Sequence, residues 1–183
     1  CQTLVEDGDA DILAAFADSI RAMAEGEVLQ LTRSFDPEMS ESTYLEVIGG
    51  KTSSLLAAAS EAGAILGGVT RSERRAVREY GWLLGLAFQL VDDALDYSGS
   101  ERDLGKAPLT DVAEGKLTLP LIATLKRCST GERDAISSLL KDFALQSAAG
   151  RSPDRESVQR VAECVERHRG VESTLARAQL LGS

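Results

Sequence analysis

Aromatic residues are scarce in this 183-residue chain, at 4%. No apolar run approaches the roughly 18 consecutive residues that a membrane-spanning helix needs. Strands are usually rich in β-branched and aromatic residues, whereas the abundant alanine and leucine here favour helices. Hydrophobic residues make up 43% of the chain, which is enough for a core. The composition therefore predicts an all-α protein without a transmembrane helix.

Basic residues are also in short supply. The chain has 20 Lys and Arg against 29 Asp and Glu, for a formal net charge of -9. Binding to nucleic acid normally requires a basic patch, so this excess argues against nucleic acid as a partner. An acidic protein can still bind a polyanion when metal ions lie between the two.

Cysteine and histidine are few. Cys1, Cys128 and Cys164 are widely spaced and odd in number, which argues against a disulfide framework and against a zinc site. This usage is typical of the reducing cytoplasm, where we expect the protein. The only histidine, His168, stands between two arginines, so we expect a surface position near a helix C-terminus. For Cys164 we expect ordinary helix packing.

The chain begins with Cys1 rather than Met, no signal peptide follows, and a helical pattern is already established at Asp9. We therefore expect one incomplete domain over residues 1–183, whose N-terminal part is missing here. The abrupt end of the last helical pattern is consistent with truncation there as well. No linker divides the chain.

Apolar residues at helical spacing, together with capping signals, predict a series of helices. The predicted helices cover residues 9–31, 40–66, 73–97, 117–126, 130–146 and 171–181. Thr70 and Glu73 form a capping box before the third helix, and Thr130 is the expected N-cap of the fifth. A further helix is expected to begin with Ser152 as N-cap and Pro153 as its first residue. Residues 99–115 are expected to be mainly loop.

Two glycines, Gly49 and Gly50, lie inside the predicted second helix and are followed at once by Lys51 and Thr52. Each glycine costs a helix about 1 kcal/mol relative to alanine. They indicate either a tolerated kink or the close approach of another backbone or a ligand.

Three carboxylates, Asp92, Asp93 and Asp96, lie late in the predicted third helix. Asp92 and Asp96 are about 40° apart around the helix axis, and Gln89 shares their face. Like charges at this spacing destabilise a helix, and the helix dipole opposes them further. A divalent cation such as Mg²⁺ would remove that conflict by binding carboxylate oxygens and substrate phosphates together. The simpler alternative is a solvated acidic face, but the apolar neighbours Phe88, Leu90, Val91 and Leu95 suggest burial.

Two lysines follow the acids within a glycine-containing segment. Lys106 and Lys116 suggest recognition of an anion beside the metal, because a lysine ammonium can reach phosphate oxygens as a mobile point charge. Lysines are common on protein surfaces, so simple solvation is the alternative for each of them.

These motifs resemble, in matching order, those of the trans-polyprenyl diphosphate synthases. Residues 88–96 (FQLVDDALD) resemble the second aspartate-rich motif of that family. Residues 104–106 (LGK) and 114–120 (EGKLTLP) resemble the loop that follows it, and residues 50–52 (GKT) resemble the Lys-Thr site. Residues 25–31 (EGEVLQL) are similar to bacterial long-chain synthases that make quinone side chains. The resemblance covers about residues 5–127.

The resemblance implies an antiparallel helical bundle around a central cavity, usually homodimeric. It implies a Mg²⁺-dependent prenyltransferase that condenses isopentenyl diphosphate with an allylic diphosphate. Asp92 and Asp96 would hold Mg²⁺ on the allylic diphosphate, and Asp93 would support that metal site. The residues implied as catalytic and diphosphate-contacting are Lys51, Thr52, Gln89 and Lys106, with Lys116 as a further substrate contact.

The sequence also departs from the family. The first aspartate-rich motif, with its arginines, should precede the first helix, and Asp7, Asp9 and Asp11 lack the required spacing. We therefore expect this chain alone to be inactive and the native protein to be longer. The alternatives are a catalytically silent or regulatory subunit, an ordinary helical interaction protein, or a related terpene cyclase. The cyclase is disfavoured because its cavity is usually rich in aromatic residues.

Overall fold

The computed structural model describes Glu6 and residues 8–98 and 108–182. These residues form helices and no strand, which confirms the all-α class. In chain order the elements are α1 (Ala10–Thr32), α2 (Glu41–Ile48), a π-helical turn (Gly49–Ser53), α3 (Ser54–Leu66), α4 (Arg71–Ser98), α5 (Thr110–Ala113), α6 (Leu119–Leu125), α7 (Thr130–Ala148), α8 (Arg155–Arg167) and α9 (Gly170–Leu181). None of the described helices combines the length and hydropathy that crossing a bilayer requires.

Several helices begin where a side chain satisfies their first backbone N–H groups. Asp9 accepts hydrogen bonds from the N–H groups of Asp11 and Ile12 at 2.9 and 3.0 Å and so caps α1. The predicted capping box before α4 is confirmed, since the Glu73 carboxylate accepts from the backbone N–H of Thr70 at 2.9 Å and from its hydroxyl at 2.7 Å. Both patterns were readable because they depend only on neighbours in the sequence.

Two predicted caps are wrong. The N-cap of α7 is Ser129 rather than Thr130, because Ser129 and Glu132 complete a reciprocal capping box. The N-cap of α8 is Asp154 rather than Ser152, because its carboxylate accepts the N–H of Ser157 at 2.8 Å. In each case the N-cap is the residue whose side-chain oxygen accepts the backbone N–H of the residue three positions later.

The segment 99–115, which was expected to be mainly loop, also contains the short helix α5.

The core is built mainly from α4, α6, α7 and α8. Leu90, Leu121 and Leu140 are fully buried, as are Phe143 and Val165. Helices α3 and α4 pack against each other and are joined by only the residues 67–70, so they run antiparallel. Helix α4 also packs against α9, and α1 packs against α3 and the π-helical turn. Helix α4 is therefore held on several sides by other elements.

The π-helical turn lies where three backbones approach closely. A Cβ atom on Gly50 would lie 2.6 Å from the carbonyl oxygen of Ala22 in α1, and one on Gly85 in α4 would lie 2.5 Å from the Cα atom of Ser53. Both distances are shorter than a side chain can tolerate. The two glycines therefore allow α1 and α4 to close on this turn, which favours the close-approach interpretation of Gly50 and explains the break in the predicted helix.

One face of α4 is apolar and exposed. Its large side chains recur every three or four residues, and we call the set the apolar stripe: Val77, Tyr80, Leu84, Phe88, Val91 and Leu95. Phe88 is 62% exposed and Leu95 is 44% exposed, whereas Leu90 on the opposite face is fully buried. The expectation that Phe88, Val91 and Leu95 surround the acids with buried surface is therefore wrong for this chain.

Candidate functional site

A cavity of about 190 Å³ lies between α2, the π-helical turn, α4 and the segment around α5. Most of the residues that the sequence singled out line it. Its described lining consists of Gln30, Tyr44, Val47, Ile48, Lys51, Thr52, Gln89, Asp92, Asp93, Asp111, Lys116 and Thr118. Asp96 is not among them, and Lys106 lies outside the described residues. The fold therefore brings together residues from 30 to 118 around one polar opening.

Asp93 is held by a short chain of hydrogen bonds. The hydroxyl of Tyr44 donates to Oδ2 of Asp93 at 2.6 Å, and Nε2 of Gln89 donates to Oδ1 at 2.8 Å. The hydroxyl of Thr52 in turn donates to Oε1 of Gln89 at 2.8 Å. Because each member fixes the next, the orientation of Asp93 depends on α2, the π-helical turn and α4 together.

Burial makes Asp93 an unusual carboxyl group. It is 3% exposed, and burial raises its pKa from 3.8 to about 6. The hydrogen bonds from Tyr44 and Gln89 lower the pKa, while the charges of Asp111 and Asp92 raise it further. Both of its oxygens already accept hydrogen bonds from the protein, so Asp93 is suited to supporting the site rather than to facing the solvent.

Asp92 has the opposite surroundings. It lies on the cavity wall and is exposed. Within the described part of the chain it makes no hydrogen bond or ion pair. Its carboxylate oxygens are therefore available to a cation or to water.

Asp96 is fully buried in the body of the protein. Its Oδ2 accepts the backbone N–H of Asp111 at 3.1 Å, and its carbonyl oxygen accepts the N–H of Leu109 at 2.9 Å. These bonds tie the end of α4 to the segment that enters α5. Its assignment as a metal ligand stays a prediction, and in this conformation its side chain connects two elements instead.

Both described lysines of the site are paired with carboxylates. Nζ of Lys51 contacts Oε1 of Gln30 at 2.5 Å and Oε2 of Glu27 at 2.6 Å. Nζ of Lys116 contacts Asp111 at 3.1 Å and Glu114 at 2.7 Å.

The pairing also sets the charge state of Lys116. Burial lowers its pKa, but its contacts with Glu114 and Asp111 outweigh that effect and leave the pKa raised above the ordinary value. A positive charge is therefore secure at this edge of the cavity, and the carboxylates hold it in place.

Sequence reasoning missed several members of the site. Tyr44, Gln30 and Asp111 line the cavity, but none had been proposed as a site residue. Gln30 and Asp111 lie in or beside the motifs 25–31 and 114–120, which is a signal that could have found them. Nothing in the sequence near Tyr44 marks it, because its role depends on a partner 49 positions away.

The donor set fits a hard divalent cation. Asp92 offers uncommitted oxygens at the cavity wall, and the carboxylates of Asp93 and Asp111, which are held by other side chains, add negative charge close by. Oxygen ligands of this kind suit Mg²⁺ or Ca²⁺ rather than a softer metal. Lys51 and Lys116 stand in the same wall, so an anion could contact the cation and the ammonium groups together.

Comparisons with known proteins point to one family. A family model described as polyprenyl synthetase matches residues 1–167. The octaprenyl diphosphate synthase of Haemophilus influenzae is 38% identical over 168 residues, which cover 92% of this chain and 48% of that protein. The octaprenyl diphosphate synthase of Escherichia coli is 42% identical over 121 residues, covering 66% of this chain and 38% of that protein.

Solved structures give the same result. A polyprenyl synthase from Caulobacter crescentus, crystallised with calcium and isoprenyl diphosphate, superposes with a TM-score of 0.88 at 39% identity. The match covers 98% of this chain and 52% of that one. This chain therefore spans about half the length of these relatives.

Proposed function

Because this chain belongs to the polyprenyl synthetase family, we propose that it carries the diphosphate-binding site of a trans-prenyltransferase. The reaction would condense isopentenyl diphosphate with an allylic diphosphate to give a longer polyprenyl diphosphate. One observation carries the proposal: Lys51 and Thr52 of the π-helical turn meet Gln89 and Asp92 of α4 in a single cavity. The similarity to octaprenyl and decaprenyl diphosphate synthases favours a long-chain product.

Each residue has a distinct part in binding the diphosphate. Asp92 would hold Mg²⁺, and Asp93 would keep the neighbouring wall in position through Tyr44 and Gln89. Lys51 and Lys116 would exchange their present carboxylate partners for phosphate oxygens. Lys106 is proposed as a further diphosphate contact on the strength of the motif alone, and Asp96 as a further metal ligand on the same ground.

The chemistry depends on stabilising the leaving group. Bound Mg²⁺ would supply charge that stabilises the departing diphosphate. As the allylic C–O bond breaks, Lys51 and Lys116 would share that charge. The double bond of isopentenyl diphosphate then attacks the allylic carbon, a C–C bond forms, and loss of a proton to the released diphosphate restores an alkene. The attacked carbon must be shielded from water.

The apolar stripe supports binding of a prenyl chain. Phe88 lies one helical turn before Asp92 on the same face of α4, and Val91 and Leu95 lie on either side of Asp92 along the helix, so the apolar stripe passes beside the proposed cation site. A hydrocarbon tail attached to a diphosphate at Asp92 could lie along this surface.

We also propose that the protein is a homodimer and that it is cytoplasmic. Sedimentation of the complete protein would test the oligomeric state.

The first experiment measures binding by this chain. Pyrophosphate is titrated calorimetrically in the presence and absence of Mg²⁺. We expect Mg²⁺-dependent binding, and we expect the affinity to fall at least about 100-fold in Asp92→Ala. Loss of a direct metal ligand should weaken binding at least as much as loss of an outer-shell partner does. Asp142→Ala, which removes an exposed aspartate from α7, is the matched control and should bind normally. Equal binding by both variants would refute the site.

The second experiment measures turnover by the complete protein. It is incubated with an allylic diphosphate, labelled isopentenyl diphosphate and Mg²⁺, and the products are analysed by mass spectrometry. Elongated polyprenyl diphosphates are expected. A cyclised product formed without uptake of isopentenyl diphosphate would indicate a terpene cyclase instead. Normal binding without any turnover would indicate a silent subunit.

A further inference from the structure

Three side chains of the types that bind metal ions lie together outside the cavity. Glu132 stands in the first turn of α7, Cys164 in the last turn of α8, and His168 at the C-cap of α8. One ligand atom from each lies within 4.8 Å of the other two. We call these three residues the thiol–imidazole cluster. It shares no residue with the diphosphate site.

The geometry of α8 presents two of the ligands together. Cys164 and His168 are four residues apart, so their side chains share one face of the helix. This is the spacing at which two helical residues can bind one metal ion. The N–H of His168 donates to the carbonyl oxygen of Cys164 at 3.1 Å, which keeps the helical turn intact through the cluster.

The third ligand comes from the facing helix. Nε2 of His168 lies 3.2 Å from Oε2 of Glu132. The same carboxylate caps α7 through Ser129, and its Oε1 contacts Arg167 at 2.7 Å. Arg167 is 63% exposed at its side chain, so it can move away without disturbing the core. The hydrogen bond from Ser129 holds the Glu132 carboxylate in place whether or not Arg167 remains in contact with it.

The surroundings suit a bound cation that can enter from the solvent. Cys164 is 6% exposed, whereas the side chains of His168 and Glu132 are 21% and 29% exposed. The cluster is therefore closed on the thiol side and open on the imidazole side. Burial raises the pKa of the Cys164 thiol, and the charge of Glu132 raises it further, which disfavours a reactive free thiolate in the absence of metal.

Cysteine count and spacing argued against a zinc site, but they do not register a histidine and a glutamate that the fold brings to Cys164. We propose that Glu132, Cys164 and His168 bind one Zn²⁺ ion and so fasten the start of α7 to the end of α8. One thiolate and one carboxylate balance the two positive charges of Zn²⁺, with a neutral imidazole as third ligand. Sulfur, nitrogen and oxygen together suit this borderline metal, whereas the all-oxygen cavity suits Mg²⁺. A water molecule would complete the tetrahedron.

Cobalt(II) is the probe, because a thiolate ligand gives it a charge-transfer absorption that oxygen ligands do not. The chain is titrated with Co²⁺ under reducing conditions and then with Zn²⁺ as competitor. We expect one equivalent of Co²⁺ to produce the thiolate band and Zn²⁺ to abolish it. Co²⁺ bound at the aspartates of the cavity would give no such band, so the two sites are distinguishable.

Matched variants locate the ligand. Cys164→Ser should lose the band, whereas Cys128→Ser should keep it, because the Cys128 thiol is not among the ligand atoms that lie within 4.8 Å of one another. His168→Gln replaces a partly exposed side chain and should weaken Co²⁺ binding at least about 10-fold with the fold intact by circular dichroism. Absence of the band, or its survival in Cys164→Ser, would overturn the proposal.

Discussion

At the scale of single residues, the two adjacent aspartates of the candidate site differ in what surrounds them. Asp92 faces the cavity and is exposed, whereas Asp93 turns inward and accepts hydrogen bonds from Tyr44 and Gln89. Adjacent helical residues lie about 100° apart around the helix, so one can face the solvent while the other is buried. The two adjacent aspartates thus combine a carboxylate that we propose as a cation ligand with one whose hydrogen bonds join α4 to Tyr44 in α2.

Tyr44→Phe tests the buried partner. Removing the hydroxyl leaves the buried carboxylate of Asp93 with one hydrogen-bond donor fewer, which should lower the free energy of unfolding by about 1–3 kcal/mol at neutral pH. Chemical denaturation measures the loss. Tyr80→Phe is the matched control, because Tyr80 is 66% exposed and its change should stay within about 0.5 kcal/mol. Equal effects would show that the Tyr44 hydroxyl contributes nothing specific.

At the scale of elements, the π-helical turn and the start of α4 set the position of the site. The turn places Lys51 and Thr52 opposite Gln89, and it can do so because Gly50 and Gly85 admit neighbouring backbones. The close spacing between α4 and this turn therefore depends on these two glycines, which have no side chain to hold the backbones apart.

Gly50→Ala should disturb that spacing. The new Cβ atom would lie 2.6 Å from the carbonyl oxygen of Ala22, so we expect a loss of about 1–3 kcal/mol in stability and weaker pyrophosphate binding. Gly63→Ala in α3 is the control, since nothing lies within 4 Å of its added Cβ. That variant should gain about 0.5–1 kcal/mol from the better helix propensity of alanine. Unfolding in denaturant distinguishes the two, and a stabilised Gly50→Ala would contradict the close approach.

The capping box of α4 predicts a pH dependence. Hydrogen bonds from the Thr70 side chain and backbone hold the pKa of Glu73 below its ordinary 4.5. A lowered pKa in the folded state means that the stabilisation is present above pH 4.5 and is lost as the pH falls towards the folded-state value. Glu73→Gln should therefore have a lower melting temperature than the native chain at neutral pH, and this difference in melting temperature should disappear in acid.

Thermal melting across that pH range measures the effect. Glu79→Gln removes an exposed carboxylate from the same helix outside the capping box and serves as control. A difference in melting temperature for Glu73→Gln that is independent of pH would show that the carboxylate charge does not contribute to the cap.

At the scale of the whole molecule, the apolar stripe distinguishes the surface of this chain from that of a typical globular protein. Six large side chains follow one face of α4 and pass beside the proposed cation site. Isolated exposed hydrophobic residues are common, but a continuous row marks a surface that binds something. A prenyl chain attached to the diphosphate would account for the position of this row.

Phe88→Ala tests the stripe. Because Phe88 is 62% exposed, the free energy of unfolding should change by no more than about 0.5 kcal/mol. Affinity for an allylic prenyl diphosphate should fall while affinity for pyrophosphate with Mg²⁺ stays the same, as measured by calorimetry. Leu145→Ala, which truncates a residue that is 70% exposed on α7, should alter neither. An equal fall for both ligands would mean that Phe88 acts through the diphosphate site.

Local patterns in the sequence were enough for the helices and for the family. Helical periodicity, the Thr70–Glu73 box and the acidic motif depend on residues within a turn or two of each other, so they could be read directly. The motifs also predicted Lys51, Thr52, Gln89, Asp92, Asp93 and Lys116, which the fold brings to one cavity. Expectations about burial failed at Phe88 and Leu95, because apolar neighbours in a sequence do not say what packs against them.

The sequence by itself determined an all-α protein of the polyprenyl synthetase family, because helix propensity and motif spacing are local properties. Only the tertiary structure decided that Tyr44 holds Asp93, that Asp96 joins α4 to the α5 segment, and that His168 contacts Glu132. Those contacts join residues 49, 15 and 36 positions apart. Contacts at such separations depend on how the helices pack, and a pattern read along one chain does not contain that information.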